Sequence, residues 1–266
     1  MGVLAKDRHG GIPRWNGDES LEGKRVLLWC AESLGDTLQF CRYGPLLAQR
    51  GAHVVVEVQP ALKAVVDTLD VCEAIARGEP LPAFDFQVPL ESLPLAFRTT
   101  LETIPSATPY LKLDPPRVRA WRDRIPRTRD MMSVGIACSR DLALGEFEPL
   151  RDVAHLVLIQ QDVGAEDAAY LQLSGIDQLD ASFEDSAAIM ANVDVVVCAD
   201  TPLAHLAGAL AVPVWILLPG AADRRWLEDR DDSPWYPTAT LYRQERGGGW
   251  DEVMVRVREA LIAARR

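Results

Sequence analysis

The stretch "NVDVVVCADTPLAHLAGALAVPVWILLP", residues 192–219, joins two apolar runs through a helix-like segment. The first run ends at Asp200. The pair Thr201-Pro202 suits a helix start, because threonine is a good cap and proline lacks an N–H that the first turn leaves unbonded anyway. The second run restarts at Pro213. A strand, a helix and a second strand in this order predict a parallel βαβ unit.

Polar side chains gather where the first of these strands ends. Ligands of open parallel sheets bind outside the carboxyl ends of the strands, and Asp200 and Thr201 stand at such an end. The first turn of the helix offers unbonded N–H groups and the positive end of the helix dipole, so we expect an anion such as a phosphate here. His205 lies one turn further and can face the same place. The alternative is an ordinary helix start with a hydrogen-bonded core histidine.

The rest of the chain repeats this alternation. Four earlier apolar runs are separated by helix-like segments: 24–31, 52–60, 131–138 and 155–162. Weaker strands are predicted within 84–97 and at 176–180. Strands that alternate with helices predict an α/β protein with parallel sheets. The pattern restarts near Met131, which predicts two Rossmann-like domains, 24–125 and 131–245. Residues 1–23 are predicted to be an irregular entry segment and residues 250–266 an amphipathic helix.

Composition narrows the class of protein. The chain has 266 residues, of which 48% are hydrophobic, and a net charge of −11, typical of a globular protein and unfavourable for nucleic-acid or anionic membrane binding. No apolar run approaches the ~18 residues of a membrane span, and the first residues lack a signal-peptide core, so we expect a cytoplasmic protein. Five scattered cysteines without C-x-x-C spacing are expected to be buried thiols.

Four segments resemble one family of enzymes. "DTPLAHLAGALAVPVWILLP" (200–219) resembles the D-T-x-x-x-H-L-A-x-A-L-x-x-P-V signature of the heptosyltransferase-like glycosyltransferases of family 9, the ADP-heptose:LPS heptosyltransferase superfamily. The version most similar to it is the glycosyltransferase domain of bacterial tetratricopeptide-repeat proteins. Three further segments agree with that version: "LLWCAESLGDTLQFCRYGPLLAQRGAHVVVEVQP" (27–60), "FEDSAAIMANVDVVV" (183–197) and "RRWLEDRDDSPWYPTATLYRQ" (224–244).

The resemblance implies a GT-B fold, in which two Rossmann-like domains face each other across a cleft. The C-terminal domain then binds a nucleotide-sugar, the N-terminal domain presents the acceptor, and the helix at 250–266 crosses back to the N-terminal domain. The implied reaction is an inverting transfer without an essential metal or cofactor, to a hydroxyl of an unknown glycan, lipid-linked or protein acceptor. It needs a base for that hydroxyl and N–H donors or positive charge for the departing diphosphate.

The resemblance also assigns roles to residues. Asp36 in "SLGDTLQF" matches the family's base, with Gly35 and Thr37 beside it on the acceptor side. Without the resemblance this segment is only a turn and a helix cap. The donor site would be formed by Asp200, Thr201 and His205. Trp235 is a weaker candidate for lining the cleft, and a structural role for Trp235 and Tyr236 is the favoured alternative. Arg224, Arg225 and Arg230 are candidates to reach the phosphates, and a solvated charged face is the favoured interpretation of this stretch.

One loop departs from the family pattern. After the strand "VGIA" (134–137) the family carries a glycine-containing basic loop, whereas this chain continues "CSRDLALGEFEPL". Arg140 is the only basic residue at its start and is a candidate for donor binding. Loss of one transition-state contact costs about 2.7–4 kcal/mol, so a catalytically inactive scaffold or partner-binding module is the alternative function. A sugar-nucleotide epimerase and an NAD-dependent enzyme fit less well, because the chain has only four histidines and "SLGDTLQ" is not G-x-G-x-x-G.

Overall fold

A computed structural model describes residues 8–30, 32–125, 130–160, 163–174, 177–178 and 182–265. The chain divides into two compact units, residues 1–112 and 113–266. The division falls earlier than the predicted end of the N-terminal domain at residue 125. Each unit contains a single parallel sheet.

The first unit is built on a four-stranded sheet in the order β3-β2-β1-β4. Its strands are β1 (Arg25–Trp29), β2 (His53–Val58), β3 (Cys72–Ala76) and β4 (Phe86–Pro89). Its helices are α1 (Leu34–Phe40), α2 (Gly44–Ala48), α3 (Lys63–Val66) and α4 (Leu93–Ala96). Short 3-10 turns lie at Cys41–Tyr43, Pro60–Leu62, Leu90–Ser92 and Leu101–Thr103. The apolar run of β1 is almost entirely buried, as a central parallel strand requires.

The second unit has a six-stranded sheet in the order β10-β9-β8-β5-β6-β7. Its strands are β5 (Met132–Ala137), β6 (Ala154–Leu158), β7 (Asp177–Gln178), β8 (Val195–Ala199), β9 (Val214–Leu218) and β10 (Ala239–Arg243). Its helices are α5 (Pro115–Arg122), α6 (Ala165–Ser174), α7 (Phe183–Met190), α8 (Pro202–Ala209) and α9 (Asp251–Ala264). The 3-10 segments are Leu144–Leu150 and Arg224–Trp226.

All strand pairs in both sheets are parallel. Numbered from β5, the strands of the second sheet lie in the Rossmann order 3-2-1-4-5-6. The first sheet repeats the 3-2-1-4 part of that order. The predicted α/β class with parallel sheets is therefore confirmed.

Helix α5 explains why the first unit ends early. The Asp185 carboxylate on α7 accepts hydrogen bonds from Arg117 Nη1 at 2.6 Å and from the Trp121 indole at 2.9 Å. Asn192 Nδ2 donates to the Val118 carbonyl at 2.8 Å. These contacts attach residues 115–122 to the second unit, although the sequence analysis assigned them to the N-terminal domain.

Helix α9 also belongs to the second unit. Its buried residues join the core formed with β5, β6 and the 144–150 segment: Val253, Met254, Val257 and Leu261. Just before α9, the Trp250 indole donates to the Asp141 carbonyl at 2.6 Å. The helix thus covers the second sheet itself, and its return to the N-terminal domain stays a prediction.

The five cysteines are free thiols, four of them buried and Cys72 partly so. Burial raises the pKa of Cys41 and of Cys138 to about 12, which keeps both thiols protonated at neutral pH. The expectation of buried thiols is confirmed for Cys30, Cys138 and Cys198. Within the described part of the chain, no helix combines the length and the apolar character needed to cross a membrane.

Candidate functional site

The candidate donor site lies at the carboxyl edge of the second sheet, where β8 ends. β5 and β8 are central neighbours, and the chain connections leave them in opposite directions, to β6 and to β9. That is the switch point at which open α/β sheets bind ligands. Asp200 follows β8 directly, and α8 begins at Pro202, the first helical position predicted for it.

His205 is the centre of this site and is only 2% exposed. Its Nδ1 lies 2.9 Å from the Tyr236 hydroxyl, and its Nε2 lies 3.6 Å from Asp200 Oδ1. The imidazole stacks on the Trp226 indole, with ring centroids 5.5 Å apart and planes 20° apart. Packing on one face and polar contacts at both nitrogens therefore fix the orientation of the ring.

Asp200 is held in its charged form. Its Oδ2 accepts a hydrogen bond from the Trp226 indole at 2.8 Å. Burial raises the pKa of this carboxyl, but the contacts with His205 and Trp226 and the charge of Arg225 lower it more, so the net pKa is below the ordinary value of 3.8. The site thus contains a carboxylate that stays ionised at neutral pH and holds both aromatic partners.

Tyr236 reaches His205 because a glycine lies opposite it. A Cβ atom on Gly208 would be 2.3 Å from Cδ1 of the Tyr236 ring, which is fully buried. The space opposite Gly208 on α8 is filled by the Tyr236 ring, which therefore packs directly against this helix. The structural role favoured for Tyr236 agrees with this burial, and its hydroxyl also positions His205.

Thr201 does not cap α8 as the sequence suggested. It occupies the cap position with extended backbone, but its side chain makes no capping hydrogen bond. Its Oγ1 is buried and has no hydrogen-bond partner among the described residues. Such an atom normally has a partner, so a bound group that offers one would be favoured beside the N-terminus of α8.

Arg225, for which a solvated charged face was the favoured interpretation, lies beside His205 in this site. Its Nη1 lies 3.5 Å from His205 Nε2, and its Nε pairs with Asp223 Oδ1 at 3.2 Å. The same carboxylate caps the turn by accepting the Arg225 N–H at 2.8 Å. The only local signal was the aromatic Trp226 next to Arg225 in an otherwise charged stretch.

The neighbouring arginines agree with the expected charged face. Arg224 is exposed, and Arg230 binds Asp232 through two hydrogen bonds of 2.7 and 2.6 Å. A charged face thus describes Arg224 and Arg230, but not Arg225.

Arg140 lies in a different environment. After β5 the chain makes a tight turn in which Ser139 N–H donates to the Leu142 carbonyl at 2.9 Å, with Arg140 exposed at its tip. The bond from Trp250 to Asp141 holds this turn in place. Among the ion pairs of the described residues, none involves Arg140, and its role in donor binding stays a prediction.

The predicted acceptor-side residues lie on α1 in the first unit. Ser33 caps this helix by accepting the Asp36 N–H at 3.0 Å, so Asp36 and Gly35 are in its first turn. Asp36 is partly exposed, whereas Thr37 is buried and donates to Gln59 Oε1 at 2.9 Å. Glu91 lies in the 3-10 turn Leu90–Ser92, which contacts α1, and its pKa is raised by burial and then by the charge of Asp36.

Two further features flank the donor site. Trp235 is partly buried, and its N–H donates to Ser233 Oγ at 3.2 Å. A cavity of about 590 Å³ lies where β9 and β10 end, lined by residues 219–222, 227–229 and 243–247. Glu228, Asp229 and Arg246 give it both signs of charge, which suits hydroxyl-rich ligands. In the described part of the chain, no group of three histidine, cysteine or acidic residues could hold a metal ion.

Comparison with known proteins gives one curated relative. No protein-family model matches the chain. The chain is 26% identical over 288 residues to Protein FlbA of Caulobacter vibrioides, a match that covers 93% of this chain and 48% of FlbA. The chain therefore spans about half the length of this relative.

Solved structures show the fold. A family 9 glycosyl transferase from Veillonella parvula superposes with a TM-score of 0.66 at 10% identity, over 92% of this chain and 99% of that one. The E. coli ADP-heptose LPS heptosyltransferase II superposes with a TM-score of 0.62 at 16% identity, over 91% and 98%. The chain thus has the GT-B fold of heptosyltransferase-like glycosyltransferases, in agreement with the four resembling segments.

Proposed function

We propose that this protein is a glycosyltransferase that moves a sugar from a nucleotide-sugar donor to an acceptor hydroxyl. The observation that carries the proposal is the fixed group of Asp200, His205 and Tyr236 at the N-terminus of α8, in a GT-B fold. The E. coli structure with this fold is named for ADP-heptose, so an ADP-sugar is the first donor to test.

The second unit binds the donor in this proposal. The first turn of α8 supplies N–H groups and a positive dipole end for the diphosphate, and the buried Thr201 hydroxyl adjoins them. His205, with its ring fixed by Trp226 and Tyr236, presents Nε2 beside Asp200. Preorganised dipoles of this kind stabilise charge without reorganisation during the reaction.

The first unit supplies the base in this proposal. Asp36 takes the proton of the acceptor hydroxyl while the hydroxyl oxygen bonds to the anomeric carbon, and the bond from that carbon to the diphosphate oxygen breaks. One displacement inverts the configuration, and the chemistry assigns no step to a metal or cofactor. Gly35 and Thr37 shape the first turn of α1 around Asp36.

A non-catalytic scaffold is the second candidate. It is favoured by the tight turn at 139–142, where Trp250 holds the backbone and Arg140 is exposed. The acceptor is a glycan, a lipid-linked sugar or a protein, and we place the reaction in the cytoplasm. Because FlbA is about twice as long as this chain, a segment outside these residues is a candidate for presenting the acceptor.

Calorimetric titration with ADP, UDP, GDP and CMP tests the proposal. One nucleotide should bind to the wild type and lose at least tenfold in affinity in His205→Ala. His53→Ala is the matched control, because His53 is exposed on β2 in the first unit. Turnover of the corresponding nucleotide-sugar would then exclude the scaffold. No binding by any nucleotide, or equal loss in both variants, would contradict the proposed donor site.

A further inference from the structure

We propose that Arg225 is the cation that binds the donor diphosphate and stabilises it as it departs. This inference rests on the proposed function and adds the residue that replaces the family's basic loop. A diphosphate leaving group gains negative charge when the glycosidic bond breaks, because its oxygen keeps the electron pair. A nearby guanidinium therefore binds the transition state more strongly than the ground state.

The position of Arg225 supports this role. Its side chain is 20% exposed, and Nη1 faces the same histidine nitrogen that faces Asp200. The site at the start of α8 thus has a cation beside His205, contributed by the turn at 223–226. Arginine is suited to this task because its planar donors bind phosphate oxygens in pairs.

The turn itself holds the guanidinium in place. Asp223 binds the Arg225 N–H and Nε, and Trp226 is fixed between Asp200 and His205. The contacts of Asp223 and Trp226, which flank Arg225 in the sequence, therefore hold this residue in place before a ligand binds. Such anchoring lowers the side-chain entropy that binding would otherwise cost.

Arg140 is the competing source of positive charge. It follows β5, at the position where the resembling family carries its basic loop, but it is exposed at the tip of a turn. Arg225 and Arg140 are thus alternative cations for the same diphosphate, and the loss of affinity should follow the one that binds it. The structure favours Arg225 because, of these two arginines, Arg225 is the one that contacts His205.

Titrations with ADP, AMP and adenosine show which of the two arginines binds the diphosphate. Arg225→Gln should weaken ADP at least tenfold and adenosine less than twofold, because adenosine lacks phosphates. Arg225→Lys should recover part of the loss. Arg224→Gln, the exposed neighbour, and Arg140→Gln should bind ADP like the wild type. With an ADP-sugar, Arg225→Gln should lower kcat by about 10²–10³.

The outcomes distinguish this inference from the proposed function. If Arg225→Gln binds ADP normally while Arg140→Gln does not, the role of Arg225 is overturned and the donor site stands. Equal losses for ADP and adenosine would show a purely structural role and overturn it as well. If the wild type binds none of the four nucleotides of the first experiment, both proposals fail. Thermal unfolding of each variant identifies any that do not fold.

Discussion

The two sheets follow the same strand order, yet the chain leaves their first strands in different ways. After β1 it enters helix α1, whose first turn carries Asp36 and is capped by Ser33. After β5 it makes the tight 139–142 turn and continues into the 3-10 segment Leu144–Leu150. The first unit thus offers an α-helical N-terminus next to its switch point, whereas the corresponding segment of the second unit offers none.

The difference bears on the anion site proposed for the second unit. N–H donors at this edge come from α8, after β8, and the positive charge comes from the turn at 223–226 after β9. Helix α8 follows β8, and the 223–226 turn follows β9, which lies next to β8 in the sheet. Neither group belongs to the turn after β5. The functions proposed for the two units therefore depend on different strands, although the strand order is shared. Four variants test this division.

Asp36→Asn should have the largest effect. It removes the proposed base but keeps the size of the side chain, so sugar transfer should fall by about 10²–10⁴. Affinity for the donor nucleotide should remain, because the variant lies in the first unit and the donor site in the second. Transfer rates and calorimetry on the same preparation check both parts. Unchanged turnover would assign the base to another residue.

Gly208→Ala should have the next largest effect. The new Cβ would be 2.3 Å from the Tyr236 ring, and such overpacking costs about 1–3 kcal/mol in the free energy of unfolding. Displacement of Tyr236 should also weaken nucleotide binding through His205. Gly249→Ala is the control, since a Cβ there meets nothing within 4 Å. Denaturant unfolding that gives the same stability for both variants would contradict the packing argument.

Trp250→Phe tests the β5 turn. It removes the hydrogen bond to the Asp141 carbonyl and should cost about 0.5–1.5 kcal/mol of stability. Nucleotide affinity should stay within twofold of the wild type, because the proposed site does not use this turn. A large loss of nucleotide affinity without unfolding would show that the turn contributes to the donor site. It would contradict the proposal that this site depends on the segments after β8 and β9.

Asp200→Asn should show the smallest effect, and one that depends on pH. The folded pKa of Asp200 is lowered below 3.8, so its ionisation stabilises the folded state above that unfolded value. The stability is lost as the pH falls through the lowered folded pKa. The difference in unfolding free energy between wild type and Asp200→Asn should therefore be constant near neutral pH and shrink below about pH 4. A difference independent of pH would show that the charge contributes nothing.

Much of the fold was readable from the sequence, because central parallel strands are continuous apolar runs. β1, β2, β5 and β8 fall within or overlap predicted segments. The two strands missed, β3 and β10, are both at the edge of a sheet. Half-exposed edge strands have mixed sequences such as "CEAIA" and "ATLYR". Neither the spacing of apolar residues nor the hydrophobicity of such a segment distinguishes it from a loop.

The site was predictable only in part. Asp200 and His205 followed from a strand end and a helix start, which are local features. Arg225 could not be found in this way, since it comes to His205 from 20 residues further along the chain. The cap expected from Thr201 was wrong for a related reason. The residue type makes capping possible, but the side-chain rotamer determines whether the capping hydrogen bond forms, and that rotamer depends on tertiary packing.

The stacking of Trp226 on His205 allows this site to be followed by tryptophan fluorescence. The indole is fully buried against the imidazole, and it is one of seven tryptophans in the chain. Because a bound donor would change the surroundings of this indole, fluorescence from Trp226 should follow the occupancy of the site. Subtracting the spectrum of Trp226→Phe from that of the wild type isolates this signal. The protein thus carries an intrinsic optical reporter where its donor is proposed to bind, and titrations need no label.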